Sequence, residues 1–194
     1  MSLSEQKNQL VHIMNTAYSR GWSWATGGNY SFLDGDGLWM SPSGVQKGGL
    51  SLSDLIKVNL NGEVIEGKGK ASAEVLIHTF LVKEFGAKSV LHTHSVSNTI
   101  LSMRKERSII LKGYEMLKAL EGVETHQHRE EILIFRNTQD IEGFIPELKN
   151  SLSANHHAFL LSGHGLYTWG SSMDVAFRQL EAFEFLFEVL LRGE

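Results

Sequence analysis

Three times in this sequence, two runs of β-prone residues are separated by only a few turn residues. "NYSFLDGDGLWMS" breaks at Gly35-Asp36, "KVNLNGEVIEG" at Asn61-Gly62, and "HHAFLLSGHGLYTWG" at a glycine-rich stretch around Gly163 and Gly165. Gaps this short join antiparallel neighbours, because a parallel pair needs a crossover of roughly a dozen residues or more. The hairpins therefore argue against a doubly wound parallel sheet. "SVLHTH" and "EILIFR" read as further strands. Helical spacing follows a capping box at Ser2–Glu5, with Leu10, Ile13, Met14, Ala17 and Tyr18 on one face and Gly21 as the stop. "SAEVLIHTFLVKEF" from near Ser72, "YEMLKALEGV", "TQDIEGFIPELKNSL" and the closing "SSMDVAFRQLEAFEFLFEVLLRG" read as helices. The expectation is one domain over residues 1–194, of three-layer α/β class, with a mixed, mainly antiparallel sheet flanked by helices.

Composition narrows the chemistry. A formal charge of -4 gives no sign of nucleic-acid or membrane-surface binding, and no apolar run is long enough to span a bilayer. The start lacks a secretory signal, so a cytoplasmic location is expected. There is no cysteine, so any metal must be held by His, Asp or Glu. Nineteen glycines against two prolines suggest tight turns and close backbone approach to a ligand.

His92 and His94 end an apolar run. Side chains two apart on a strand share a face, so both rings can converge while Thr93 points away. Two imidazoles make two-thirds of a typical catalytic zinc set, which leaves one position open. The bland alternative is a pair of partly buried, backbone-bonded rings. His164, between Gly163 and Gly165 after an apolar strand, is the favoured third ligand. His126 and His128 lie in a polar segment that reads as a solvated loop. His156 and His157 are adjacent and point apart. His12 and His78 lie within helices and read as packed or exposed.

Proton transfer would need a carboxylate. Glu74 and Glu115 each open a helix, where complementarity to the helix dipole is an equally good explanation, and the residues alone do not choose between them. "TGGNYS", "SPSG" and "KASAE" offer free N–H groups and hydroxyls suited to phosphate. No Walker or dinucleotide pattern is present.

Taken in order, "TGGNYS", "SPSG", "KASAE", "VLHTHS" and "GHGLYTWG" resemble the class II aldolase/adducin family, from about Trp22 to the closing helix. The resemblance implies a Zn2+ ion, one per subunit, on His92, His94 and His164. It implies a sugar phosphate held by Gly28, Asn29, Ser43, Gly44 and Ser72, and a homotetramer. Iron, cobalt or manganese would also suit three histidines. "HTHS", "YEMLKAL" and "HGLYTWG" resemble the family's dehydratases more than its sugar aldolases. The dehydratases' acid/base glutamate matches Glu115, and the aldolases' matches Glu74. The aldolases' Ser-Ser-Glu is Ser72-Ala73-Glu74 here, and the tail that carries an aldolase tyrosine is missing. A non-catalytic adducin-like module is the remaining alternative, disfavoured by the complete histidine set.

Overall fold

In the computed structural model, which describes residues 1–193, nine strands form one sheet in the order β4-β3-β2-β1-β5-β9-β8-β7-β6. The strands are β1 (Asn29–Asp34), β2 (Gly37–Met40), β3 (Ile56–Asn59), β4 (Val64–Glu66), β5 (Ser89–Thr93), β6 (Ser108–Lys112), β7 (Arg129–Phe135), β8 (Ala158–Leu161) and β9 (Gly165–Gly170). Every neighbouring pair is antiparallel except β7 and β8, which α4 (Ile141–Ser151) connects. The sheet is mixed and mainly antiparallel, as the hairpins require.

Strand alternation sends side chains into two cores. Tyr30, Phe32, Leu91, Leu160 and Leu166 pack with α1 (Leu3–Ser19), α3 (Val96–Arg104) and α5 (Met173–Gly193). Leu38, Met40, Val90, Phe159, Leu161 and Tyr167 pack with α2 (Val75–Phe85) and α4 on the other face. The result is three layers. α5 buries Ala176, Leu180, Phe183 and Phe187, which recur every three or four residues. Each buried leucine or phenylalanine contributes about 1.5–3 kcal/mol.

Local signals explain most boundaries. The Ser2 hydroxyl accepts from Glu5 N, and Glu5 reaches back to Ser2 N, so α1 starts in a complete capping box. The Asn61-Gly62 turn departs from a two-residue hairpin. The connection runs over Leu60–Glu63, because Asn59 Oδ1 accepts from both Asn61 N and Glu63 N at 2.9 and 3.0 Å. α2 begins at Val75, later than its apolar pattern suggests, and "YEMLKALEGV" supplies only a 3-10 turn, Glu115–Ala119. Two elements had no expectation attached. α3 buries only Asn98, Leu101 and Ser102, so it lacks an apolar stripe, and β6 is a short edge strand.

The segment around His126 is solvated as expected, with Thr125, His126 and Gln127 exposed, but His128 is half-buried beside Glu130. Glu130 in β7 is buried and accepts from His128 Nε2 at 2.8 Å and from His157 Nδ1 at 3.0 Å. His157 Nε2 donates to Glu121 O at 2.9 Å, so both of its nitrogens face acceptors and the ring is cationic. Burial alone would lower the His157 pKa, but the hydrogen bond and charge of Glu130 outweigh it and raise it above 6.5. Burial likewise pushes Glu130 up, and the two histidines hold it below 4.5. The Glu130 share of stability is present above 4.5 and lost as pH falls through its lowered value. The His157 share is present below 6.5 and lost as pH rises through its raised value. Glu130→Gln is expected to reduce the unfolding free energy by about 3 kcal/mol near pH 6, measured by urea denaturation. The gap to wild type should narrow as pH rises above 6.5 through the raised His157 value, and as it falls below 4.5 through the lowered Glu130 value.

Candidate metal centre

β5 lies mid-sheet between β1 and β9, with His92 opposite Asn29 on one side and Tyr167 on the other. The His92 ring is fully buried and stacks on Tyr167, centroids 4.0 Å apart at 13°. Its Nδ1–H donates to Leu166 O at 2.9 Å, which leaves Nε2 as a lone pair. His94 Nε2 lies 2.7 Å from that atom and His164 Nε2 lies 3.3 Å from it. His164 Nδ1 faces Asn137 Oδ1 at 3.2 Å, so its Nε2 is also a lone pair. Two lone pairs facing each other without a proton between them make the donor set of a cation, and these three imidazoles fit a divalent metal. Burial, then the charges of His94 and His164, hold the His92 pKa well below 6.5. Burial, then His164 and Lys47, bring His94 down to about 4. Both rings are therefore neutral and ready to ligate at neutral pH.

Glycine makes this convergence possible. A Cβ on Gly165 would lie 2.1 Å from Thr93 O and 2.9 Å from carbons of both His92 and His94. A Cβ on Gly27 would lie 2.8 Å from His94 Nδ1. Gly163 adopts φ +65°, which turns the chain sharply and sets His164 at the strand end. On the opposite face Thr93 Oγ1 donates to Glu184 Oε1 at 2.9 Å, and Asn98 Nδ2 donates to the same oxygen at 3.1 Å. Burial pushes the Glu184 carboxyl up to about 7.

Of the two carboxylates, the chain brings Glu74 to the histidines. Its Oε1 is 3.2 Å from His164 Nε2, and its Oε2 is 3.7 Å from His92 Nε2. Asn29 Nδ2 donates to Glu74 Oε2 at 2.7 Å. Asn29 Oδ1 accepts from His78 Nε2, whose Nδ1 accepts from Ser31 Oγ at 2.7 Å. Burial lowers the His78 pKa to about 3, so this ring is neutral. His78 is packed, as a helical histidine was expected to be, but it also steadies the site. Its place four residues after Glu74, on the same helix face, is the sequence signal for that role. Glu115 stands apart. Its side chain is 70% exposed and paired with Lys118 and His126, and it makes no contact with the three histidines.

The three proposed phosphate loops meet. Lys47 Nζ donates to Thr26 O at 3.0 Å and to Val45 O at 2.8 Å, linking the loops that hold Gly28 and Asn29 to the one with Ser43 and Gly44. Ser43 N donates to Lys70 O at 2.8 Å, which joins the loop leading to Ser72. The Asn29 side chain is already engaged with Glu74 and His78. The Ser72 hydroxyl accepts from Glu74 N at 3.2 Å. Lys47, Asn137 and Tyr167 carry no sequence signal that singles them out, whereas Gly165 is marked by its place beside His164. A second group, His128, Glu130 and His157, has similar spacing. Its hydrogen bonds and cationic His157 make it an ion cluster.

The chain belongs to the class II aldolase/adducin family. The family model "Class II Aldolase and Adducin N-terminal domain" matches residues 8–191. Among its relatives is the methylthioribulose-1-phosphate dehydratase of Marinobacter nauticus, 43% identical over 187 residues, covering 92% of this chain and 89% of that one. The dehydratase of the same name from Pseudomonas aeruginosa is 44% identical over 190 residues, covering 95% and 92%. Among solved structures, YgbL from Klebsiella pneumoniae has a TM-score of 0.84 at 25% identity, covering 99% of this chain and 91% of that one. An L-fuculose 1-phosphate aldolase has a TM-score of 0.80 at 20% identity, covering 100% and 88%, and shares the fold.

Removing any one of the three imidazoles, as in His92→Ala, His94→Ala or His164→Ala, is expected to weaken metal retention by about 100-fold or more. Gly165→Ala should do the same with every ligand intact, since its methyl group occupies the space of His92 and His94. Metal content after dialysis, measured by plasma mass spectrometry, checks both.

Proposed function

We propose that this chain is a zinc-dependent dehydratase that converts 5-methylthioribulose 1-phosphate to 5-methylthio-2,3-dioxopentyl phosphate and water in methionine salvage, in the cytoplasm. The observation that carries the reading is a complete three-histidine centre in a chain 43–44% identical, over nine-tenths of its length, to dehydratases of that substrate. His92, His94 and His164 would hold the ion, with Zn2+ the best match to a buried all-imidazole set. When bound, such an ion supplies Lewis acidity to the ketose oxygens and makes the C3 proton acidic.

A carboxylate removes the C3 proton and returns a proton to the departing C4 hydroxyl, which leaves as water. The resulting enol tautomerises to the diketone. Glu115 is assigned this role. Because it lies away from the histidines of its own chain, it can act only in the site of a neighbouring copy, which makes the active form a homo-oligomer, a tetramer by family resemblance. Glu74, held by Asn29, orients the substrate beside the metal. The position of Glu74 against His164 also favours one second reading, a class II aldolase that uses Glu74 to break the C3–C4 bond.

Zinc-loaded protein incubated with methylthioribulose 1-phosphate should give one phosphorylated product lighter by a single water, and chelation should abolish it. Glu115→Gln should lower turnover by about 100-fold or more. Mixing Glu115→Gln subunits with His92→Ala subunits should restore part of the activity, because one mixed site then holds an intact centre and a neighbour's Glu115. Dihydroxyacetone phosphate plus an aldehyde would instead establish the aldolase.

A further inference from the structure

Lys47 is among the largest fully buried side chains of this protein, at 1% exposure. Its ammonium has two partners, the carbonyls of Thr26 and Val45, and both are neutral. Among the described residues it forms no ion pair. A lysine ammonium has three protons to donate, and two are placed. Burying a cation without a counter-charge is costly, and carbonyl dipoles offset only part of the cost. Desolvation accordingly brings the Lys47 pKa down to about 8. The charge sits where the Gly28–Asn29 loop meets the Ser43–Gly44 loop, near enough to His94 to disfavour protonation of that ring. A chain keeps such a charge at a loop junction when something else supplies the anion.

We propose that Lys47 is a positioning residue for the substrate phosphate: it ties the two glycine-rich loops together and supplies the buried positive charge that a phosphate monoester compensates. This rests on the sugar-phosphate reading above. It adds a charged determinant to loops whose other contributions are neutral N–H groups and hydroxyls. A lysine that merely staples two carbonyls makes a different forecast, since a neutral donor of similar length would replace it.

The test is calorimetric titration of zinc-loaded protein with inorganic phosphate. Lys47→Gln and Lys47→Met should each weaken phosphate binding by about tenfold or more while zinc content stays at the wild-type level. In turnover, KM should rise with little change in kcat. The chain has no cysteine, so Lys47→Cys can be alkylated selectively, in denaturant because the position is buried, and then refolded with zinc. Treatment with 2-bromoethylamine rebuilds a lysine-like ammonium and should restore binding, whereas the neutral carbamidomethyl adduct should not. Phosphate binding of wild-type strength in the neutral variants, or equal rescue by both adducts, would overturn the assignment and leave the sugar-phosphate reading standing. Wild-type protein that binds no phosphate would overturn both.

Discussion

The contact on which the site depends is the approach of β9 to the end of β5 at Gly165. Main-chain pairing sets His92 opposite Tyr167 and Thr93 opposite Leu166. The register alone would leave no room for two imidazoles and a backbone carbonyl against the neighbouring strand. The missing Cβ at Gly165 provides that room. The other features follow: His92 can lie flat on Tyr167, its Nδ1 can reach Leu166 O, and its Nε2 can face the loop that delivers His164. Backbone geometry, more than side-chain packing, decides that a metal can be held here.

Around that contact the protein uses buried polar groups sparingly and satisfies them in series. Ser31, His78, Asn29 and Glu74 form one hydrogen-bonded chain from the second core to the three histidines. On the other face Thr93 and Asn98 share one oxygen of Glu184. The strand that carries the histidines is thus gripped from both layers, which fixes ligand direction better than apolar contacts could. The rigid half of the site is built into the sheet. The candidate phosphate loops meet through Lys47 and Ser43.

Much of this was legible in the residues. Period-two spacing at His92 and His94, with Thr93 reversed, gave the shared face, and the hairpin breaks gave an antiparallel sheet. What stayed hidden was long-range. Nothing local to Lys47 distinguishes it from a surface lysine, because its burial depends on how residues 24–28 fold over residues 41–47. α3 is not legible because apolar and polar residues are exchanged along it: Val96 and Met103 are exposed, while polar Asn98 and Ser102 are buried beside Leu101, so no apolar stripe forms. The choice between Glu74 and Glu115 could not be made from helix starts, since both occupy one. The fold separates them: Glu74 joins the histidines of its own chain, and Glu115 stays exposed.

The β5–β9 pairing also has a kinetic meaning. His92 and His164 are 72 residues apart in the chain, with α3, β6, β7, α4 and β8 between them. Loop closure over that distance comes late, after the local hairpins have formed. An ion held by all three imidazoles would need that pairing in place first, unlike the ion of a small zinc domain. It would bind a nearly finished sheet and draw its population forward by mass action. Metal occupancy would therefore report that the two halves of the chain have met.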